Sequence, residues 1–365
     1  MEVFSRILQG AVSAGASDVH LKVNSPVVFR VNGELVPVEA PLPTAEWFTV
    51  ILAKIVPERL RQQLEQDHEL DFAYMLPGVG RFRVNVFQQR NSYVMALRAV
   101  KAQVRLFQEL HLPPIFTRIA EAPSGIVLVT GATGSGKSTT LAAMVEHINL
   151  TSKKHIITLE DPIEYLFEDK QSVIEQREIG IDTGTFASGL KNVLRQDPDV
   201  IVIGEMRDSA SVMAAISAAN IGHLVIATLH TVDAAKSVQR VLEFFPGVDR
   251  ETTRQQLATT LQAVICQRLV RTTSATIVPA VEVMLNTAAV SKLIHGGNLE
   301  KLPAAIEMGD GDGMQTFDQA LYNLAKGGII SQEEALANSP TPEALKMRFQ
   351  GVILSESRRI LSARG

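Results

Sequence analysis

Apolar residues recur at helical spacing near the start of the chain, at Val3, Phe4, Ile7, Leu8 and Val12, and Gly15 supplies a stop. The pattern then turns to alternation. Val19–Val23 and Val27–Val31 read as strands, and Asn32-Gly33 marks a hairpin into Glu34–Val38. Trp47–Val56 returns to helical spacing. Alternation resumes at Leu70–Met75, Arg81–Gln88 and Tyr93–Val100, the first two joined through Pro77-Gly78-Val79-Gly80. These elements predict a small α+β domain over residues 1–100. Pro113-Pro114 breaks regular structure, so 101–114 reads as a linker.

From Gly125 the alternation disappears. Ile126–Val129, Ile156–Leu159, Val200–Ile203 and Leu224–Ala227 are short, fully apolar and rich in β-branched residues, and helical segments beginning at Lys137, Thr185, Ser209 and Asp233 follow or separate them. Strands without a polar face, alternating with helices, predict a parallel sheet covered on both sides, hence an α/β domain over 115–365. After Asp249 the spacing predicts mostly helix, with one strand at Ile277–Val283. Leu257–Leu269 reads as an apolar-periodic part of that helical region, with Cys266 as a small core residue.

Composition narrows the function classes. A length of 365 residues fits two domains, and 46% hydrophobic with 20% charged residues is ordinary for a globular protein. No run approaches the ~20 apolar residues that span a bilayer. The N-terminus lacks a basic stretch followed by an apolar one, so the protein is expected to stay in the cytoplasm. A net charge of −4 and 5% aromatic residues argue against a nucleic-acid translocase, which needs a basic, aromatic-bearing channel. A single cysteine rules out an internal disulfide and a cysteine zinc site.

The chemistry begins at Gly131-Ala132-Thr133-Gly134-Ser135-Gly136-Lys137-Ser138, with Thr139 opening the helix beyond it. This is a complete phosphate-binding loop between a strand and a helix. Its glycines let backbone N–H groups curl around phosphate oxygens, and the helix presents its positive end to the same anion. Lys137 should reach the β- and γ-phosphates of ATP, and Ser138 should hold Mg²⁺. Asp199 precedes the apolar run Val200–Ile203, whereas Glu205 follows it, at the end where such sheets bind ligands. Glu205 is therefore the expected metal-side carboxylate and Asp199 a structural residue. Glu160, Asp161 and Glu164 crowd past another strand end and need a cation or arginines beside them. His223 and His230 bracket a strand too long for both to meet one phosphate, so His230 is the candidate sensor. Arg81 and Arg83 alternate on one strand and share a face; with Arg90 and Arg98 they are candidates for phosphate recognition in a neighbouring subunit.

In this order, the phosphate loop, the acidic box Ile157–Glu164, the Gly204-Glu205 strand end and the histidine box Gly222–Thr231 resemble the secretion ATPase superfamily. Gly15-Ala-Ser-Asp-Val-His-Leu21 and Gly313-Met-Gln-Thr-Phe-Asp318 resemble the PilT-type pilus retraction ATPases in particular. The resemblance implies a PAS-like N-terminal domain, a RecA-like C-terminal domain with ATP between the two, and a homohexameric ring. It implies nucleotide binding by Gly131–Thr139, Glu205 as the Walker B acid, Glu164 polarising water, His230 with His223 as histidine-box residues, and Arg83 and Arg98 as arginine fingers. The residues alone do not choose among Glu160, Asp161 and Glu164. The implied partners are an inner-membrane pilus platform protein at the cytoplasmic face and a paralogous retraction ATPase. The lone cysteine and short N-terminal region separate the chain from extension and type II secretion ATPases. One segment departs from the family: Ala289-Val-Ser-Lys-Leu-Ile-His-Gly296 stands where Ala-Ile-Arg-Asn-Leu-Ile-Arg-Glu is common, keeping the apolar stripe and losing both arginines and the glutamate.

Overall fold

The structure is a computed structural model that describes residues 1–351; the end of the second expected domain, 352–365, lies outside the described residues. The chain divides into two compact units, one of residues 1–103 with Glu164–Leu166, the other of the remainder.

In the first unit, α1 (Glu2–Ser13) buries Phe4, Ile7, Leu8 and Ala11 on one stripe, while Val12 stays exposed. Gly15, at φ +65°, makes the turn that the sequence anticipates. The strands β1 (Asp18–Lys22), β2 (Val27–Val31) and β3 (Glu34–Val38) precede α2 (Ala45–Ile55) and α3 (Glu58–Asp67); β4 (Glu69–Leu76), β5 (Gly80–Gln89) and β6 (Ser92–Ala99) follow. The strands form one antiparallel sheet in the order β3-β2-β1-β6-β5-β4. Alternation decides its two faces. Phe82, Val84, Val86, Met95 and Leu97 point into a core shared with α1 and α2. Arg83 and Arg98 point away from it and are exposed.

The second unit is built on a seven-stranded sheet ordered β13-β12-β7-β11-β10-β8-β9. It opens with α4 (Ile115–Ala120), β7 (Gly125–Thr130), α5 (Lys137–Thr151), β8 (His155–Glu160) and β9 (Val173–Glu178). Next come α6 (Phe186–Val193), β10 (Val200–Ile203), α7 (Ser209–Asn220), β11 (Leu224–Leu229), α8 (Ala234–Glu243) and α9 (Gly247–Thr260). Strands β12 (Leu261–Arg271) and β13 (Ile277–Leu285) complete the sheet before α10 (Ala288–His295), α11 (Leu302–Met308), α12 (Phe317–Lys326), α13 (Gln332–Asn338) and α14 (Pro342–Phe349). Every residue of β7, β10 and β11 is buried, as expected of strands covered on both faces. Phe107, Leu110 and Leu112, within the segment read as a linker, pack into this unit's core.

One expectation fails here. Leu257–Leu269 is not a continuous helix: α9 ends at Thr260 and the chain passes directly into β12, which runs parallel to β7 and antiparallel to β13. Cys266 is fully buried within that strand, opposite Thr130. The spacing misleads because β12 is an interior strand, so Val264, Ile265 and Cys266 are buried in succession and mimic a helix with no polar face.

Candidate nucleotide site

The site lies where β7, β10 and β11 end. The loop after β7 requires glycine at three points: Gly131, Gly134 and Gly136 adopt φ of +145°, +79° and +90°. Gly136 stands at the N-cap of α5, so that helix presents its free N–H groups to the loop. Lys137 is only 8% exposed. Its Nζ donates to the carbonyls of Gly131 at 2.9 Å and Ala132 at 3.0 Å, so the ammonium is held across the loop. Ser138 and Thr139 occupy the first turn of α5. The Ser135 hydroxyl is buried and has no hydrogen-bond partner. An orphaned hydroxyl within this loop fits the presence of a phosphate oxygen.

Glu205 follows β10 directly after Gly204, and His230 follows β11. Parallel pairing of these two strands brings the two residues together, with His230 Nε2 3.0 Å from Glu205 Oε1. His230 Nδ1 lies 3.5 Å from Lys137 Nζ. A lysine ammonium only donates, so Nδ1 accepts and Nε2 carries the proton given to Glu205. Arg207 completes the chain of charges: it contacts Glu205 Oε2 through Nε at 2.8 Å and Nη2 at 2.7 Å, and Asp161 Oδ2 through Nη1 at 3.3 Å. Its hydrogen bond to Glu205 holds the guanidinium firmly protonated. Arg207 is thus the arginine that the crowded acidic box requires. Sequence reasoning missed it, although its position two residues beyond Glu205 on the same strand exit was the available signal.

The remaining expected residues are placed elsewhere. Glu160 accepts from Thr158 at 2.7 Å and Gln176 at 3.0 Å. Glu164 is exposed, on a segment whose backbone pairs with Lys101 in the first unit. Asp199 sits at the opposite end of β10 from Glu205, where it accepts from the His155 backbone at 2.9 Å and pairs with Lys154. His223 stands before β11, a full strand away from His230.

Arg83 and Arg98 are directly opposite each other on β5 and β6. Arg98 Nε donates to Asp18 Oδ1 at 2.8 Å, and Arg83 Nε lies 3.7 Å from Asp71. Burial works against ionisation of Asp18, but hydrogen bonds from Ser17 and Arg98 outweigh it and hold the carboxyl below its ordinary range. Arg30 also approaches Asp18, at 4.0 Å. Three arginines thus share two carboxylates on one exposed face, a surplus of positive charge suited to an anion.

A metal has few protein ligands available. Among the described residues no group of three His, Cys, Asp or Glu side chains could hold an ion. Ser138 and Glu205 offer hard oxygen donors, which fits Mg²⁺ held chiefly by phosphate and water rather than by a protein cage. No helix among the described residues is long and apolar enough to cross a membrane.

The family described as type II/IV secretion system protein matches residues 1–295. The chain is similar to the type IV pilus retraction ATPase PilT of Pseudomonas aeruginosa, with 40% identity over 339 residues, covering 93% of this chain and 98% of that protein. It is similar to the type IV pilus ATPase PilU of the same species, with 39% identity over 349 residues, covering 95% and 91%. Among solved structures it matches the pilus retraction motor PilT with bound ADP, with a TM-score of 0.86 and 40% identity, covering 94% of this chain and 98% of that one.

Proposed function

The chain belongs to the type II/IV secretion ATPase family, among its PilT-type members, and from that premise we propose that it is a homohexameric, Mg²⁺-dependent motor that retracts type IV pili. The observation that carries the enzymatic part is the contiguous set Lys137, His230, Glu205 and Arg207 at the ends of three adjacent strands. Lys137 and the N–H groups of Gly131–Thr139 bind the phosphates of ATP. Ser138 and Glu205 would hold Mg²⁺, which when bound would supply positive charge beside the phosphates. His230, tethered to Glu205, reports the γ-phosphate. Arg83 and Arg98 supply charge stabilisation to the site of a neighbouring subunit.

The motor acts at the cytoplasmic face of the inner membrane through a pilus platform protein, alone or with a paralogous retraction ATPase. The likeness to PilU as well as PilT supports the second arrangement. Helix α10 carries the departure from the common family segment. Val290 and Ile294 are buried there, and Ser291 Oγ donates to the Ala258 carbonyl at 2.6 Å. The carbonyls of Ile294 and His295 accept from Arg254 on α9. The helix end is therefore held by an arginine from outside it. Complementation tests the proposal: expression in a hyperpiliated, retraction-deficient strain of the chain's own source should restore pilus shortening. Persistent hyperpiliation, with normal ATPase turnover of the purified chain, would contradict the retraction role and leave the ATPase intact.

A further inference from the structure

Strand β12 pairs with β7 so that Cys266 faces Thr130. The next residue, Gln267, is therefore carried alongside the point where β7 gives way to the phosphate loop. Gln267 is 3% exposed. Its Nε2 donates to the Ser135 carbonyl at 2.8 Å. Its Oε1 accepts from the Thr140 hydroxyl at 2.7 Å, and Thr140 is itself buried in the first turn of α5. Because the Ser135 carbonyl can only accept, the amide nitrogen must face it, and the two partners together fix the orientation of the amide.

Two distances at glycines show how closely this strand approaches the loop, and a third shows how tightly the loop folds on itself. A Cβ on Gly136 would fall 2.6 Å from Gln267 Nε2, and one on Gly131 would fall 2.5 Å from the Gln267 carbonyl and 2.4 Å from Ser135 Oγ. Gly131 and Gly136 are thus needed to admit Gln267 as well as to reach positive φ.

We propose that Gln267 is a positioning residue for the phosphate loop. This role presupposes that the loop binds phosphate, as proposed above. In a trans peptide the C=O and N–H point in opposite directions. Gln267 draws the Ser135 carbonyl outward, and this turns the N–H of Gly136 inward, to the side where phosphate oxygens are bound. Through Thr140 the same amide ties that peptide to the helix bearing Lys137 and Ser138. Only a side chain with a donor and an acceptor on one rigid group does both. A glutamate keeps the acceptor and loses the donor; an alanine leaves a buried carbonyl and a buried hydroxyl unpaired.

The test is equilibrium binding of ADP to the full-length chain, together with steady-state ATPase kinetics and the thermal midpoint without nucleotide. Gln267→Glu, matched in shape, should weaken ADP binding about tenfold and raise KM for ATP by a similar factor, with kcat changed less than threefold, consistent with loss of one hydrogen bond to a loop that binds substrate. Thr140→Val leaves the bond to Ser135 in place and should cost less than Gln267→Glu. Combining Thr140→Val with Gln267→Ala should cost no more than Gln267→Ala alone, since one amide mediates both effects. Two results would overturn the proposal: ADP affinity of Gln267→Glu within twofold of the parent, or a lowered thermal midpoint with unchanged ADP affinity in the variants that fold. A parent chain that fails to bind ADP would instead strike at the nucleotide site itself.

Discussion

The two sheets of this protein handle charge in opposite ways. In the seven-stranded sheet, β7, β10 and β11 are buried along their whole length, so chemistry is confined to their ends. There the groups are held by one another: Lys137 by two loop carbonyls, His230 by Glu205, and Glu205 by Arg207. In the six-stranded sheet one face is open, and Arg83 and Arg98 stand in mid-strand. Arg98, 69% exposed, is held by Asp18. A network fixes geometry in advance, as catalysis by charge requires. A single exposed ion pair contributes little to stability and is easily exchanged for another anion. In the seven-stranded sheet the charged groups thus hold one another at the strand ends, whereas in the six-stranded sheet exposed cations are held by carboxylates on an open face.

The largest effect should come from the nucleotide site. Lys137→Ala is expected to lower ATP turnover by more than about a hundredfold, the usual cost of removing one preorganised group. Glu205→Gln should retain ADP binding while turnover falls by about the same factor. Asp199→Asn, at the other end of the same strand, should leave turnover within about threefold of the parent, since among the described residues its side chain meets the His155 backbone and Lys154. Activity surviving in Glu205→Gln and lost in Asp199→Asn would reverse the assignment of the two carboxylates.

Much of this contrast is legible in the sequence, for a physical reason. Fully apolar strands and alternating strands write different patterns, and a glycine-rich loop between strand and helix has few other uses. The end at which Glu205 rather than Asp199 lies follows from chain direction alone. What the pattern does not encode is lateral placement. Gln267 meets groups more than a hundred residues away in sequence, and β12 is hidden because an interior strand lacks the alternation that distinguishes it from helix. Similarly, the pairing of Arg83 with Arg98 depends on the register of β5 against β6, which spacing does not fix.

On the open sheet a smaller effect is expected. Asp18→Asn removes the carboxylate that orients Arg98, so turnover should fall about fivefold with ADP affinity unchanged, because a misplaced guanidinium costs orientation rather than substrate binding. Equal loss of ADP affinity would show that Asp18 supports the fold more broadly.

A separate effect concerns stability behind the site rather than turnover. Burial raises the Glu282 carboxyl from 4.5 to about 7, although it accepts from the Ala234 backbone at the start of α8. The folded chain therefore keeps a proton that the unfolded chain releases above 4.5. This contribution to stability is fully present below 4.5 and is lost as pH rises through about 7, a change of roughly 3 kcal/mol. Glu282→Gln should accordingly raise the thermal midpoint by several degrees at pH 8 and by little at pH 5. An equal shift at both values would mean that ionisation of Glu282 is not what limits stability.

Whether the cations of the open sheet complete a site on another copy of the chain is tested by mixing. Arg98→Ala and Lys137→Ala chains should each hydrolyse ATP poorly alone. Combined in equal amounts and allowed to exchange subunits, they should recover a measurable fraction of parental turnover, because an intact phosphate loop then meets an intact Arg98. No recovery at any ratio, with both variants assembling as the parent does, would contradict this role of Arg98.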